Sequence, residues 1–260
     1  MEVQVQGHQV HFERSGKGPP ALFLHGVPDT GDIWKDVIAG AQQRYTCYAP
    51  DLMGIGRSQE NPGFDYSFDG YADWVEALVQ ALGITEPVTL VVHDWGGLIG
   101  LAWASQYPQR IARVLIMNTA FTPLYRWHFW ARVWRTPLLG EFSMLVMNRA
   151  LFRQQLQRGS RKLTLAQIDE AYHAFHPAAR AVVLRLYRSA DPPKLVGKET
   201  AFAALAQRVP VKVLWGEHDP YVPRWVAATF HTEDVEMLPD SGHWVPLEES
   251  AKVAEALLRM

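Results

Sequence analysis

The chain has 260 residues, 48% of them hydrophobic and 20% charged, which excludes a disordered chain, a collagen and a small disulfide scaffold. With 25 Lys and Arg against 27 Asp and Glu the formal net charge is −2, and no basic excess favours a nucleic-acid partner. The single cysteine, Cys47, cannot form an internal disulfide, the first residues lack signal-peptide features, and no run reaches the roughly 18 apolar residues of a membrane helix, so a cytoplasmic protein with no membrane partner is expected.

The first half alternates strands with helices. Glu2 to Gln6 and Gln9 to Arg14 predict a hairpin around Gly7-His8. Ala21 to Leu24 is a short apolar run, a buried strand ending at His25-Gly26. Asp32 to Gln42 has helical spacing, and Tyr45 to Ala49 is the next strand, stopped by Pro50-Asp51. Phe68 to Leu82 puts Tyr71, Val75, Leu78, Val79 and Leu82 on one helical face, with Gly83 at its C-terminal cap. Val88 to Val92 is continuously apolar apart from Thr89 and rich in β-branched residues, as a central parallel strand buried on both faces requires. Gly96 to Tyr107 is helical and Ile111 to Met117 is another strand.

The rhythm then breaks. Between Phe121 and Arg208 no strand is legible; helical segments at Trp127–Trp134, Glu141–Leu156, Leu165–Phe175 and Ala178–Ser189 are separated by Pro137, Gly159, Pro177 and Pro192-Pro193. Alternation resumes with Val211 to Trp215, a helix from about Arg224, the strand Val235 to Leu238 and a last helix from about Leu247. The expectation is an α/β core, residues 1–120 and 209–260, with a mostly parallel sheet flanked by helices and an inserted helical cap over 121–208. Ligands on such sheets sit at the carboxyl ends of the strands, where an insertion would act as a lid.

Three polar clusters stand at predicted strand ends. His93-Asp94-Trp95-Gly96-Gly97 follows Val88–Val92 and opens a helix; Gly216-Glu217-His218-Asp219-Pro220 follows Val211–Trp215; Ser241-Gly242-His243-Trp244 follows Val235–Leu238. A nucleophile elbow needs small residues around a sharp strand-to-helix turn, and Asp94 occupies the place a serine usually takes.

With His25-Gly26-Val27-Pro28, Asp51-Leu52-Met53-Gly54-Ile55-Gly56-Arg57-Ser58 and these three clusters, the sequence resembles the α/β-hydrolase fold family, and within it the aspartate-nucleophile branch of epoxide hydrolases and haloalkane dehalogenases. The resemblance implies Asp94, His243 and Asp219 as catalytic residues, with the backbone N–H groups of Val27 and Trp95 as the oxyanion hole. A carboxylate is ionised near neutral pH and can attack an sp3 carbon directly. His243, oriented by Asp219, would then activate a water against the ester on Asp94. No metal or organic cofactor is implied; the partners are a small apolar organic substrate and water, and the chain is a monomer or homodimer.

The leaving group separates the two activities. An epoxide opens to a strongly basic alkoxide, and epoxide hydrolases offer it cap tyrosines; Leu186-Tyr187-Arg188 resembles their second tyrosine motif. For the first, Tyr125 and Tyr172 are candidates, and Phe142 stands where a family tyrosine could be. A halide needs only N–H donors, a role open to Trp95 and the cap residues Trp127, Trp130 and Trp134. Epoxide hydrolysis is the first expectation, haloalkane dehalogenation the second, and a binding protein that has lost turnover the third. Trp34, Trp74, Trp103 and Trp215 read as core packing. His25, His93 and His218 read as turn-holding residues, and His173 and His176, three apart on a helix, as surface residues rather than metal ligands.

Overall fold

The computed structural model describes residues 1–260, and its eight strands form one sheet. The strands are β1 (Glu2–Val5), β2 (His8–Gly16), β3 (Pro20–Leu24), β4 (Thr46–Pro50), β5 (Val88–His93), β6 (Ile111–Met117), β7 (Val211–Gly216) and β8 (Val235–Leu238), in the spatial order β1-β2-β4-β3-β5-β6-β7-β8. β1, β2 and β4 pair antiparallel, and β4, β3, β5, β6, β7 and β8 pair parallel. Every residue of β3, β4 and β5 is buried, which is why these strands read as unbroken apolar runs.

The core helices are α1 (Lys35–Ala41), α2 (Phe68–Ala81), α3 (Trp95–Gln106), α10 (Val245–Glu248) and α11 (Ser250–Arg259). Ser67 caps α2 by accepting the Gly70 N–H, and Gly83 takes the left-handed turn after it, at φ +70°. In α3, ten of twelve residues are buried; a helix apolar on all sides belongs under the centre of the molecule. Trp34, Trp74, Trp103 and Trp215 are fully buried.

Two segments depart from the expected α-helices. Gly31–Trp34 is a 3-10 turn ahead of α1, started by the Thr30 hydroxyl, and Arg224–Phe230 winds as a 3-10 helix throughout. Between β6 and β7 run six helices: α4 (Phe129–Arg135), α5 (Leu139–Val146), α6 (Arg149–Gly159), α7 (Leu165–Ala174), α8 (Pro177–Ser189) and α9 (Lys198–Ala206). The stretch expected as one helix over 141–156 is broken at Met147-Asn148, because the Asn148 side chain takes the N–H groups of Ala150 and Leu151 and starts a new helix. α9 is not legible in the sequence, because its apolar residues follow no clear helical stripe; Phe202 and Leu205 are its buried residues.

Candidate active site

The turn after β5 carries the central residue. Asp94 sits at φ +50°, ψ −123°, where a non-glycine backbone costs about 1–3 kcal/mol, and the carboxylate is thereby held out from the sheet. The conformation is fixed from both sides. The Thr119 hydroxyl donates to the Asp94 carbonyl at 2.6 Å. Gly96 lies so close to the backbone of Leu24 and His25 that no side chain would fit. Asp94 Oδ1 accepts the Val27 N–H at 2.9 Å. The second expected donor, the Trp95 N–H, is at the first position of α3 and has no partner within its own helix.

The ends of β7 and β8 bring the other two residues to the same place. His243 Nε2 lies 3.5 Å from Asp94 Oδ2, and His243 Nδ1 lies 2.7 Å from Asp219 Oδ2. Asp219 Oδ1 accepts the N–H groups of Tyr221 and Val222 at 2.7 and 3.0 Å. The His243 loop is held by its N–H donating to the Gly159 carbonyl, and by His93 Nε2 donating to the His243 carbonyl, both at 2.8 Å. His93 is thus a positioning residue, and burial pushes its own imidazole down to about 4. His25 holds its turn through the Gly26 carbonyl and the Leu52 N–H. His218 is exposed.

The electrostatics follow from this packing. Burial would lower the His243 imidazole, but the charge and hydrogen bond of Asp219 and those of Asp94 outweigh it and raise the ring to about 10. Burial would raise the Asp94 carboxyl; the hydrogen bond and charge of His243, then His93 and the Val27 N–H, bring it below the usual carboxylate range. The carboxyl groups of Asp219 and Asp94 beside the ring thus favour its protonated form.

Above Asp94 lies a cavity lined by 23 residues, of which 17 are hydrophobic. Trp95, Trp127, Trp130, Trp134, Tyr125 and Tyr187 all line it. Their polar atoms differ in what they can still do. The Trp127 N–H donates to Asp191 at 3.2 Å and the Trp130 N–H to Gln155 at 2.8 Å. The Tyr125 hydroxyl donates to the Tyr221 carbonyl at 2.8 Å, and the Tyr221 hydroxyl to the Gln155 carbonyl at 3.1 Å. Tyr187 keeps its hydroxyl free of backbone partners. Its ring stands edge-on to Trp95, with the ring centroids 4.8 Å apart. Burial first, and then the Asp94 charge, hold the Tyr187 phenol well above its usual range, so it stays a proton donor.

Three expectations need correction. Tyr172 does not line the cavity: its half-buried ring packs on Phe152 at 5.3 Å and under Arg180, behind Phe152, which does line it. Phe142 points to solvent at 61% exposure. Tyr125 lines the cavity, but its hydroxyl proton is already engaged. His173 and His176 make helix-end bonds, to the Asp169 carbonyl and from the Ala179 N–H.

Two residues were missed from sequence. Asn118, at the end of β6, donates to Asp219 Oδ2 at 2.8 Å and bonds both the N–H and the carbonyl of Gly216. An asparagine directly after an apolar strand was the available signal. His128 lines the cavity between Tyr187 and Tyr221, with ring centroids 6.1 and 5.1 Å away. Its Nδ1 accepts the Ala131 N–H and caps α4, so the proton of the neutral ring is on Nε2. Burial lowers this imidazole to about 4, so it is neutral near pH 7. Nothing in the local sequence marks it, since a histidine cap is an unusual choice.

Comparison with known proteins agrees with this architecture. A cis-3-alkyl-4-alkyloxetan-2-one decarboxylase from Xanthomonas campestris is 30% identical over 95% of this chain and 89% of its own length. A haloalkane dehalogenase 2 from Mycobacterium bovis is 27% identical over 96% of this chain and 90% of its own. Among solved structures, a loop variant of a haloalkane dehalogenase from Bradyrhizobium elkanii superposes with a TM-score of 0.81 at 25% identity, covering 99% of this chain and 94% of that one. An epoxide hydrolase shares the fold, with a TM-score of 0.83 at 21% identity, covering 100% and 96%. The family described as alpha/beta hydrolase fold matches residues 19–250, the six strands β3 to β8 together with the helices between β6 and β7, and the chain belongs to that family.

Proposed function

We propose that this hydrolase uses Asp94 as a nucleophile on a saturated carbon of an apolar small-ring oxygen heterocycle, in the first place an epoxide, which it converts to a diol. The observation that carries the reading is the Tyr187 hydroxyl, which makes no hydrogen bond within the protein and lines the same cavity as Asp94, Trp95 and His243. A departing alkoxide needs such a donor and a halide does not. In the first step the Asp94 carboxylate forms an ester as the ring C–O bond breaks. The alkoxide takes the Tyr187 proton, which the His243 imidazolium replaces. His243 is then neutral, and its high affinity for a proton falls because Asp94 no longer carries charge.

In the second step His243 takes a proton from water, the hydroxide adds to the Asp94 carbonyl carbon, and the ester C–O bond breaks. The product alkoxide collects the carboxyl proton, so one water is consumed and Asp94 and His243 return to their starting charges. The Val27 and Trp95 N–H groups are the donors for the oxyanion, each worth about 3–4 kcal/mol of barrier.

A second reading is favoured by the similarity to oxetan-2-one decarboxylases. A four-membered lactone also carries its ring oxygen on an sp3 carbon. Displacement by Asp94 would release a carboxylate, which could lose carbon dioxide while the C–O bond to Asp94 breaks to form an alkene.

The test is intact mass spectrometry of His243→Gln after exposure to aryl and alkyl epoxides, bromoalkanes and dialkyl oxetan-2-ones. A mass increase equal to an added epoxide, lost in Asp94→Asn, is expected. Unmodified protein with every substrate, despite demonstrable turnover by the wild type, would overturn the covalent scheme.

A further inference from the structure

The net charge of −2 conceals two opposite halves. Of the 25 Lys and Arg residues, 14 lie within 121–208, with only 5 of the 27 Asp and Glu, so the cap helices carry +9 and the remainder −11. Some of this difference ties the halves together: Lys162 pairs with Glu249, Arg185 with Glu60 at 2.7 Å, and Lys198 with Asp69. Arg132, Arg153, Arg158 and Arg161 are exposed and enter none of the ion pairs.

The same segment carries an apolar face with no partner. α5 buries Gly140, Ser143 and Met144, yet its opposite side is also apolar: Leu139, Phe142, Leu145 and Val146 are all exposed, Leu145 at 81%. Leu138, 84% exposed, extends the face before the helix, and Leu151 extends it beyond Asn148. The only acid on α5, Glu141, is paired with Arg188. A solvated helix would carry polar residues on that side. Leu138 moreover sits at φ +68°, where glycine or asparagine would be less strained.

We propose that this face of the cap docks on an anionic lipid bilayer. Exposed aliphatic and aromatic side chains entering the headgroup region, on a segment with a large excess of arginine and lysine, are the pattern of an interfacial helix. The charge split orients the molecule, drawing the cap to a negative surface and repelling the core. A symmetric contact between two copies would place +9 against +9, so charge disfavours a second chain here. Docking would also bring the apolar cavity under the cap to the phase in which apolar substrates dissolve. The sequence-based expectation of no membrane partner considered the summed charge and spanning segments, and an interfacial contact needs neither.

The test is co-sedimentation of the full chain with vesicles of phosphatidylcholine alone and of phosphatidylcholine with about one-third phosphatidylglycerol. Binding to the anionic vesicles that falls at high salt, and falls about tenfold in Phe142→Glu/Leu145→Glu, is expected. Neither residue lines the cavity, so turnover of a dissolved substrate and the melting temperature should hold; Phe142→Ser/Leu145→Ser serves if the charged pair misfolds. No binding to either vesicle, or equal binding to both, overturns the proposal. So does a concentration-dependent dimer abolished by the same substitutions, which would give the face to a second copy. Capture of an acidic polypeptide with equal affinity by wild type and variant, without vesicle binding, would overturn it as well. Vesicle binding requires no turnover, so the result stands apart from the nucleophile assignment.

Discussion

Asn118 Nδ2 and His243 Nδ1 converge on one oxygen, Asp219 Oδ2, at 2.8 and 2.7 Å. The carboxylate is fixed from the β6 side by the asparagine and presents its remaining lone pair to the imidazole. Asn118→Ala should lose that restraint and unpair the buried N–H and carbonyl of Gly216. Stability should fall by about 1–3 kcal/mol in chemical denaturation. Breakdown of the Asp94 ester should slow more than its formation, as single-turnover mass measurements would show.

Tyr187→Phe removes the donor beside Trp95 and leaves the ring packing in place. Opening of an epoxide should slow about a hundredfold, whereas displacement of bromide, which needs no proton, should change little. Equal loss on both substrates, in paired diol and bromide assays, would remove the ground for preferring the epoxide.

His128 offers a neutral Nε2–H donor in the cavity and caps α4 with its other nitrogen. His128→Asn keeps a strong capping side chain but withdraws the imidazole N–H. Unchanged melting temperature with kcat lowered about tenfold on an epoxide is expected. His128→Ala should lose about 1 kcal/mol of stability as well.

Asp29 gives a pH signature of its own. Burial lifts its carboxyl to about 7, against the hydrogen bond from the Trp244 indole, and Asp94 adds to the rise. A carboxyl raised in the folded state favours folding while it is protonated, and that contribution is lost as pH rises from its unfolded value through about 7. Asp29→Asn keeps an acceptor for Trp244 and carries no charge. Its stability should match the wild type near pH 4 and exceed it by roughly 1–3 kcal/mol near pH 8, read from melting temperatures at the two pH values.

The sequence by itself determined the alternation of strands and helices in the core and the three turns that carry Asp94, Asp219 and His243. Burial on both faces makes β3 and β5 read as apolar runs, and a turn squeezed against neighbouring backbone demands its glycines, so these features are written locally. The tertiary structure alone decided which polar atoms of the cap remain free. Tyr125, Tyr172 and Tyr187 look alike as letters. They differ because a carbonyl 96 residues away takes the first hydroxyl, Phe152 stands between the second and the cavity, and the third lines the cavity together with Asp94, its hydroxyl unbonded. Asn118 acts through Asp219, 101 residues away, His128 reaches the cavity only through the packing of α4, and the outward turn of Phe142 depends on which side of α5 the other helices cover. Satisfaction of these long-range hydrogen bonds depends on three-dimensional neighbours, and no local pattern encodes it.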